Sequence, residues 1–387
     1  MRLRWVAAGI FVVSNVVNYL DRGILASVWP DIAREYHLDE RHYGWIVMAL
    51  SLSYALASPV TGWMLDRLGL TRGISIAVAV WSAAAAATGV VASFPQLLLC
   101  RIGLGAGESA GIPAVGKANA MYLQPKERAI GAALSQVGIS IGGILAPALA
   151  ILFVARSWRF PFVVAGLCGL LWIPLWWLTS RWIRPQFDAP QPAEATAVDK
   201  RLIALVIANV LWMGVYSLWT NWTSLYLFGV HHLSKVEAAK YAWAPPLFSV
   251  LGGFLGGWAS MRMIDRGVPT LDARLRAILL SAVGVLTTLL VPFTPTPFWS
   301  IAAIAMSFFW ATAGSVNIYA IPLDLYGARR AGASISALVF AYGLLQTVIS
   351  PAIGYVVKYH GYLWVCVVAA LPPMIGYWLL RRTLVPR

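Results

Sequence analysis

Charged residues are rare inside the long apolar stretches, and four of them stand out for their chemistry. Asp21 and Arg22 lie in the first such stretch, and Arg101 and Glu108 lie in the fourth. Burial disfavours the charged form of a carboxylate, so a buried acid can take up and release protons near neutral pH. A guanidinium keeps its charge and offers a planar fork that matches a carboxylate. We therefore predict Asp21 and Glu108 as proton carriers and Arg22 as the group that binds an anion.

Arg101 and Glu108 are seven positions apart, which is two turns of a helix, so they share one face. Two roles stay open for Arg101: a partner in proton coupling, or a structural partner that only neutralises Glu108. The same packing alternative applies to Asp21 and Arg22.

Other reactive residue types give no competing site. The three cysteines have no CxxC spacing and the five histidines fall in polar loops, so we predict no metal site. No nucleophile and base stand together, which argues against an enzyme. The glycines of 101–107 follow no strand and lie within a helix, so they are not a dinucleotide site. We expect no cofactor, with the proton as the coupling ion.

Composition decides the class of element that must carry these residues. Of the 387 residues, 60% are hydrophobic and 11% are charged, and mean hydropathy is +0.73. Soluble domains carry about 25% charged residues. The composition excludes a soluble or disordered chain and predicts an all-α membrane protein.

The apolar runs predict twelve membrane-spanning helices, most of them long enough for the ~20 residues that cross a bilayer. The predicted spans are roughly 5–29, 43–65, 73–93, 95–118, 129–155, 160–181, 201–229, 238–261, 276–293, 297–325, 331–357 and 362–381. The first run is too long for a signal peptide and is interpreted as a span.

A polar stretch rich in proline and alanine, 182–200, predicts a cytoplasmic linker. It separates two six-helix bundles, 1–181 and 201–387. The segment 62–67 is weakly similar to 257–262, and both lie at the end of the second helix of their half. Two similar halves predict a transporter whose site lies between them.

Lysine and arginine counts predict the orientation, because cytoplasmic loops carry an excess of both. With the N-terminus inside, 19 of them fall in inside segments and 7 in outside segments. Both termini are therefore predicted to be cytoplasmic. The same count accounts for most of the net charge of +14 without a nucleic-acid partner.

Several motifs resemble those of the major facilitator superfamily. Gly62-Trp-Met-Leu-Asp-Arg-Leu-Gly-Leu-Thr-Arg72 is similar to its loop 2–3 signature, and Arg101-x-x-x-Gly105-x-Gly107 to its fourth-helix motif. Within the superfamily, the chain resembles the anion:cation symporters, and hexuronate transporters most. That finer resemblance lies in Asn18-Tyr-Leu-Asp-Arg22, Gly107-Glu-Ser-Ala-Gly-Ile-Pro113, Pro125-Lys-Glu-Arg128, Tyr43-Gly-Trp-Ile-Val47, Trp81-Ser82, Lys117-Ala118 and 252–276.

The resemblance implies a proton-coupled symporter that imports an organic anion, a hexuronate or aldonate, by alternating access. It implies a multi-pass protein of the bacterial cytoplasmic (inner) membrane, a monomer whose partners are the bilayer and the substrate. Asp21 and Glu108 match protonated carboxylates, and Arg22 matches the arginine that holds the substrate carboxylate. The remaining matches are substrate-binding positions: Tyr19, Tyr54, Ser315 and Asn317.

Two positions depart from the family pattern. Ile139 stands where galactonate carriers have a sugar-binding glutamine, and Phe340 or Ala341 stands where they have an asparagine. Both differences remove hydrogen-bond partners for hydroxyl groups. The alternative is therefore a carrier or exporter of a smaller monocarboxylate or another metabolite on the same fold.

Overall fold

The computed structural model describes residues 3–154, 157–185, 187, 199–233, 237–238, 240–241 and 243–385. Across these residues the regular structure is helical, without a strand. The α-helices are α1 (Leu3–Tyr36), α2 (Glu40–Leu68), α3 (Leu70–Thr88), α4 (Phe94–Glu108), α5 (Gly111–Tyr122), α6 (Arg128–Val154), α7 (Phe160–Trp182), α8 (Lys200–His231), α9 (Ala244–Asp265), α10 (Thr270–Val285), α11 (Pro297–Tyr326), α12 (Ala331–His360), α13 (Tyr362–Ala370) and α14 (Pro372–Leu384). Two 3₁₀ helices, Pro125–Glu127 and Leu286–Phe293, join neighbouring elements.

The helices agree with a chain that crosses a membrane several times. Helical structure lies on each of the twelve predicted stretches. In the described part of the chain, nine helical stretches are long and apolar enough to cross a bilayer. The all-helical class is thus confirmed. Twelve spans with both termini in the cytoplasm remain a prediction. Most of the predicted linker, 188–198, lies outside the described residues.

The fourth predicted span is broken, which corrects the expectation of one helix over 95–118. Helix α4 ends at Glu108, and α5 begins at Gly111 after a two-residue turn. Pro113 has no backbone N–H to donate, so it is tolerated in the first turn of a helix and not in its interior. The hydroxyl of Ser109 donates to a carbonyl in α4, which satisfies one group at the break. Glu108 consequently lies at a helix end.

Packing divides the chain into two compact units. Each unit includes a segment from the other half of the sequence. Unit 1 comprises Met1–Leu123, Leu134–Thr196 and Tyr326–Gly343. Unit 2 comprises Gln124–Ala133, Ala197–Leu325 and Leu344–Arg387. The first part of α12 is therefore in unit 1, and the first part of α6 is in unit 2. The organisation into bundles 1–181 and 201–387 stays a prediction.

In unit 1, the carboxylate of Asp66 holds the start of α12. It accepts hydrogen bonds from the backbone N–H groups of Gly332 (3.0 Å) and Ala333 (2.7 Å). Lys117 Nζ lies 2.6 Å from the same carboxylate and also donates to the carbonyl of Ala328 at 3.1 Å. An anion at a helix N-terminus is stabilised by the unpaired N–H groups there. This contact explains why the first part of α12 belongs to unit 1.

In unit 2, a cluster of two arginines and one carboxylate holds the start of α6. Arg274 and Arg128 each contact Asp324, at 3.2 and 3.0 Å. Arg274 also donates to the carbonyl of Pro125, and its side chain is fully buried. Both arginines lie in segments that the charge count assigns to the cytoplasmic side, and their side chains are buried within unit 2. The acid inside the tenth predicted span was the signal that the charge count missed.

Glycines provide room for tryptophan side chains in unit 2. The indole of Trp212 lies on Gly314, and that of Trp310 lies on Gly284, so close that neither glycine has space for a Cβ atom. Trp212 Nε1 donates to the carbonyl of Ala311 at 2.7 Å, which satisfies its buried N–H. These contacts fix how α8, α10 and α11 pack together.

The end of α1 carries an ion pair that makes stability depend on pH. Arg159 binds both carboxylate oxygens of Glu35, at 2.6 and 2.9 Å, and Trp158 Nε1 donates at 2.6 Å. Hydrogen bonds from Arg159 and then Trp158 lower the pKa of Glu35 below its ordinary value of 4.5. A group whose pKa is lower in the folded state stabilises that state above its ordinary pKa. This contribution is lost as the pH falls through the folded-state pKa.

We expect Glu35→Gln to lower the melting temperature at neutral pH, and we expect the gap from wild type to narrow below about pH 4.5. Thermal unfolding followed across a pH series measures the gap. Asp31→Asn is the matched control, because the exposed Asp31–Arg34 pair is separated by 3.7 Å and contributes little. A gap of constant size from neutral to acidic pH would contradict the assignment.

Candidate functional site

An arginine–glutamate pair joins α1 to the end of α4 in unit 1. Arg22 Nε donates to a carboxylate oxygen of Glu108 at 2.7 Å. The Arg22 side chain is 29% exposed, whereas that of Glu108 is completely buried. The two residues are 86 positions apart in the sequence. The structure therefore brings together two of the charges that the sequence singled out.

Two aromatic rings flank the same guanidinium. The ring centres of Tyr19 and Tyr54 lie 5.2 and 4.8 Å from Arg22 Cζ, which is the range of cation–π contacts. Among the described residues we find no hydrogen-bond acceptor for the two terminal nitrogens of Arg22. A partly exposed guanidinium between two tyrosines can therefore receive a carboxylate while its Nε stays on Glu108.

Asp21 lies beside this pair, in a different environment. Its side chain has no exposed surface, and neither carboxylate oxygen has a hydrogen-bond partner in the described part of the chain. Arg101, Arg22 and Glu108 are close enough to interact with it electrostatically. Burying a charge without hydrogen bonds is costly. The placement suits a group that carries a proton in part of its working cycle.

Arg101 is buried next to Asp21 and does not hydrogen-bond Glu108. Its Nη2 donates to Thr88 Oγ1 at 3.3 Å, and its guanidinium lies 5.0 Å from the centre of the Phe162 ring. Its Nε and Nη1 have no partner among the described residues. Arg101 and Glu108 are close enough to interact electrostatically, while the hydrogen-bond partner of Glu108 is Arg22, so both roles for Arg101 stay open.

The two candidate residues of α11 lie in unit 2 and differ in availability. Ser315 is partly exposed, and its hydroxyl makes a long 3.9 Å contact with the sulfur of Met213. Asn317 is fully buried. Its amide donates to two backbone carbonyls, in α9 and α11, and accepts from Arg274 at 3.4 Å. The structure thus uses Asn317 for internal packing, and it leaves the hydroxyl of Ser315 weakly bonded.

These features define a multi-span helical membrane protein with a buried arginine–carboxylate site. The family model of the Major Facilitator Superfamily matches residues 11–350, and the chain belongs to that superfamily. Its fold is similar to that of the E. coli fucose:proton symporter FucP, with a TM-score of 0.77 at 14% identity, over 98% of this chain and 99% of that one.

Relatives in the same superfamily carry sugar acids. The hexuronate transporter of Escherichia coli (strain K12) is 25% identical over 97% of this chain and 92% of its own length. The galacturonate transporter of Dickeya chrysanthemi is 30% identical over 67% of this chain and 82% of its own length. The family and these relatives are transporters, so the prediction that the chain is not an enzyme is confirmed.

Proposed function

We propose that this chain is a proton-coupled symporter that imports a sugar acid, a hexuronate or aldonate, across the bacterial cytoplasmic membrane. The observation that carries the proposal is the pair of Arg22 and Glu108, flanked by two tyrosines and next to Asp21. A partly exposed cation between aromatic rings suits the carboxylate of a sugar acid. The named substrates of the relatives support the same class of ligand.

The pair suggests how substrate and proton are coupled. In the proposed cycle a substrate carboxylate binds the free nitrogens of Arg22 and competes with Glu108 for its charge. Glu108 is completely buried, so a weaker interaction with Arg22 raises the free energy of its ionised form. Protonation of Glu108 removes that cost. Substrate and proton therefore favour one another's binding, and Asp21 supplies a second protonatable carboxylate.

The proposed cycle follows alternating access, with protons loaded outside and released to the cytoplasm. Access alternates between the two sides of the membrane, as in transporters built from two repeated halves. An inside that is alkaline and negative drives net import. Arg101, buried beside Asp21, is proposed to influence proton affinity without contacting substrate.

A ligand screen on the purified full chain tests the proposal. Uronates, aldonates, aldarates and small monocarboxylates are compared by thermal shift, since a ligand at 100 times its Kd adds about 2.7 kcal/mol of stability. We expect hexuronates or aldonates to stabilise the protein most. In proteoliposomes, an inward proton gradient should then drive accumulation of the same acid. Uptake that is unchanged by collapsing the gradient would exclude proton coupling.

The second candidate is a carrier or exporter of a smaller monocarboxylate. The internal use of Asn317 favours it, because that amide is not offered to a hydroxyl group in this structure. Ile139 likewise offers no hydrogen bond where related carriers have a glutamine. Stabilisation by small acids alone, or efflux faster than influx in oriented vesicles, would support this candidate over sugar-acid import.

We expect Ser315→Ala and Asn317→Ala to behave differently. Ser315→Ala should weaken binding of hydroxylated acids by about 1–3 kcal/mol, because it leaves a ligand hydroxyl unpaired. Asn317→Ala should lower the melting temperature without ligand, because Arg274 and two carbonyls lose a partner. Thermal shift with and without acid separates the two effects. Wild-type affinity in Ser315→Ala would exclude that hydroxyl from the site.

A further inference from the structure

At the turn between α4 and α5 in unit 1, a buried glycine leaves room for a methyl-sized group. Gly111, the first residue of α5, is buried. A Cβ atom built on it would meet a single atom within 4 Å, the amide nitrogen Nδ2 of Asn18, at 3.8 Å. Most glycines in this fold instead lie against a neighbouring helix, as Gly107 does against the backbone of Trp81. Gly111 therefore leaves room for a small group in contact with the Asn18 amide.

The amide that faces this space has no internal partner. Asn18 is 5% exposed, and its Nδ2 donates to no acceptor among the described residues. By contrast, Asn15 lies about one turn earlier on α1 and donates to the carbonyl of Ser135 at 3.4 Å. A buried amide N–H that lacks an acceptor destabilises the fold, because its hydrogen bond to water is lost and not replaced. An acceptor supplied by a bound ligand would remove that cost.

The position of Asn18 relates this space to the site at Arg22. The two residues are four positions apart on α1, so they share a face and are separated by about 6 Å along the helix axis. Arg22 contacts Glu108 at the end of α4, and Asn18 faces Gly111 at the start of α5. A single extended ligand can therefore reach both pairs.

We propose that Asn18 and Gly111 form a second subsite, which binds a hydroxyl oxygen of the acid whose carboxylate is held by Arg22. The inference rests on the proposed function and makes it more specific. A sugar acid carries hydroxyl groups along the chain beyond its carboxylate and can occupy both subsites. A short acid without hydroxyls occupies the Arg22 subsite alone. Asn18 is then a specificity-determining residue for hydroxylated acids.

Two substitutions test the subsite by different means. Asn18→Ala removes the donor, and Gly111→Ala fills the space with a methyl group, which the 3.8 Å clearance allows without a clash. Galacturonate and hexanoate, acids of equal carbon number with and without hydroxyls, are the probes. Binding is measured by calorimetry on the full chain. We expect each substitution to weaken galacturonate binding at least tenfold and to leave hexanoate binding within twofold of wild type. If wild type binds no hexanoate measurably, the variants should not bind it either.

The controls are Asn15→Ala, which removes a bonded amide on the same helix, and Gly9→Ala, which adds a methyl group with no atom within 4 Å. Both should bind galacturonate like wild type once folded. Wild-type galacturonate affinity in Asn18→Ala and Gly111→Ala would overturn the subsite and leave the proposed function standing. Equal losses for both acids would also overturn it, as general damage. A wild-type protein that binds no sugar acid would overturn both proposals.

Discussion

Glu108→Gln is expected to bind the acid and to exchange labelled for unlabelled substrate, but not to accumulate substrate under a pH gradient. Glutamine copies the shape of the protonated acid and cannot release a proton. An ionised carboxylate in a span is costly without a cation nearby, and Arg22 is the cation in contact with Glu108. The substitution therefore holds the site in its loaded form. Exchange needs no net proton movement, so it survives.

Proteoliposome assays of exchange and of gradient-driven uptake, run on the same preparation, measure this separation. Glu35→Gln is the matched control, because it changes a glutamate of α1 in the same unit and should retain both activities. If Glu108 serves only packing, exchange and uptake should fall together with the melting temperature. Wild-type accumulation in Glu108→Gln would rule out a proton role for Glu108 and leave Asp21 as the candidate.

Arg22→Lys is expected to abolish most binding of the acid, although the charge is kept. Lysine lacks the planar fork, so it cannot hold Glu108 through one nitrogen and a substrate carboxylate through two others. It also loses the guanidinium that lies within cation–π distance of Tyr19 and Tyr54. A hydrogen bond to a charged group is worth about 1.5–3 kcal/mol, so we expect Kd to rise at least tenfold.

Calorimetry against the best acid of the screen measures this loss. Arg67→Lys is the control, since Arg67 lies over the exposed ring of Trp63 and has no proposed role in binding. Arg22→Ala is the second variant, and it should bind no acid measurably. Near-normal affinity in both Arg22 variants would remove Arg22 from the site.

The sequence singled out candidate site residues because charges are rare inside apolar stretches. A charge there is costly, so Arg22 and Glu108 stood out, and the structure places them in contact. Helix periodicity could not predict that contact, because it relates residues of one helix and these lie on two. It could place Arg101 and Glu108 on one face, and the structure keeps them within electrostatic range without a hydrogen bond between them.

Two other features depended on tertiary structure. Arg274 falls in a polar segment that the charge count assigns to the cytoplasmic side, and its burial against Asp324 and Pro125 has no signal in that count. The buried Arg274 also donates a hydrogen bond to Asn317, the residue that motif similarity had assigned to substrate binding. The break before Gly111 had a local signal in Pro113. In a long apolar run, that proline was equally consistent with a bent continuous helix.

The contacts of Trp212 with Gly314 and of Trp310 with Gly284 have an evolutionary consequence. Each glycine can gain a side chain only if the facing tryptophan becomes smaller, because no space remains for a Cβ atom. A single change at either member is therefore destabilising. Enlarging the glycine first creates a clash, and shrinking the tryptophan first creates a cavity. Across homologous sequences, each glycine and its tryptophan should be replaced together, as a covarying pair.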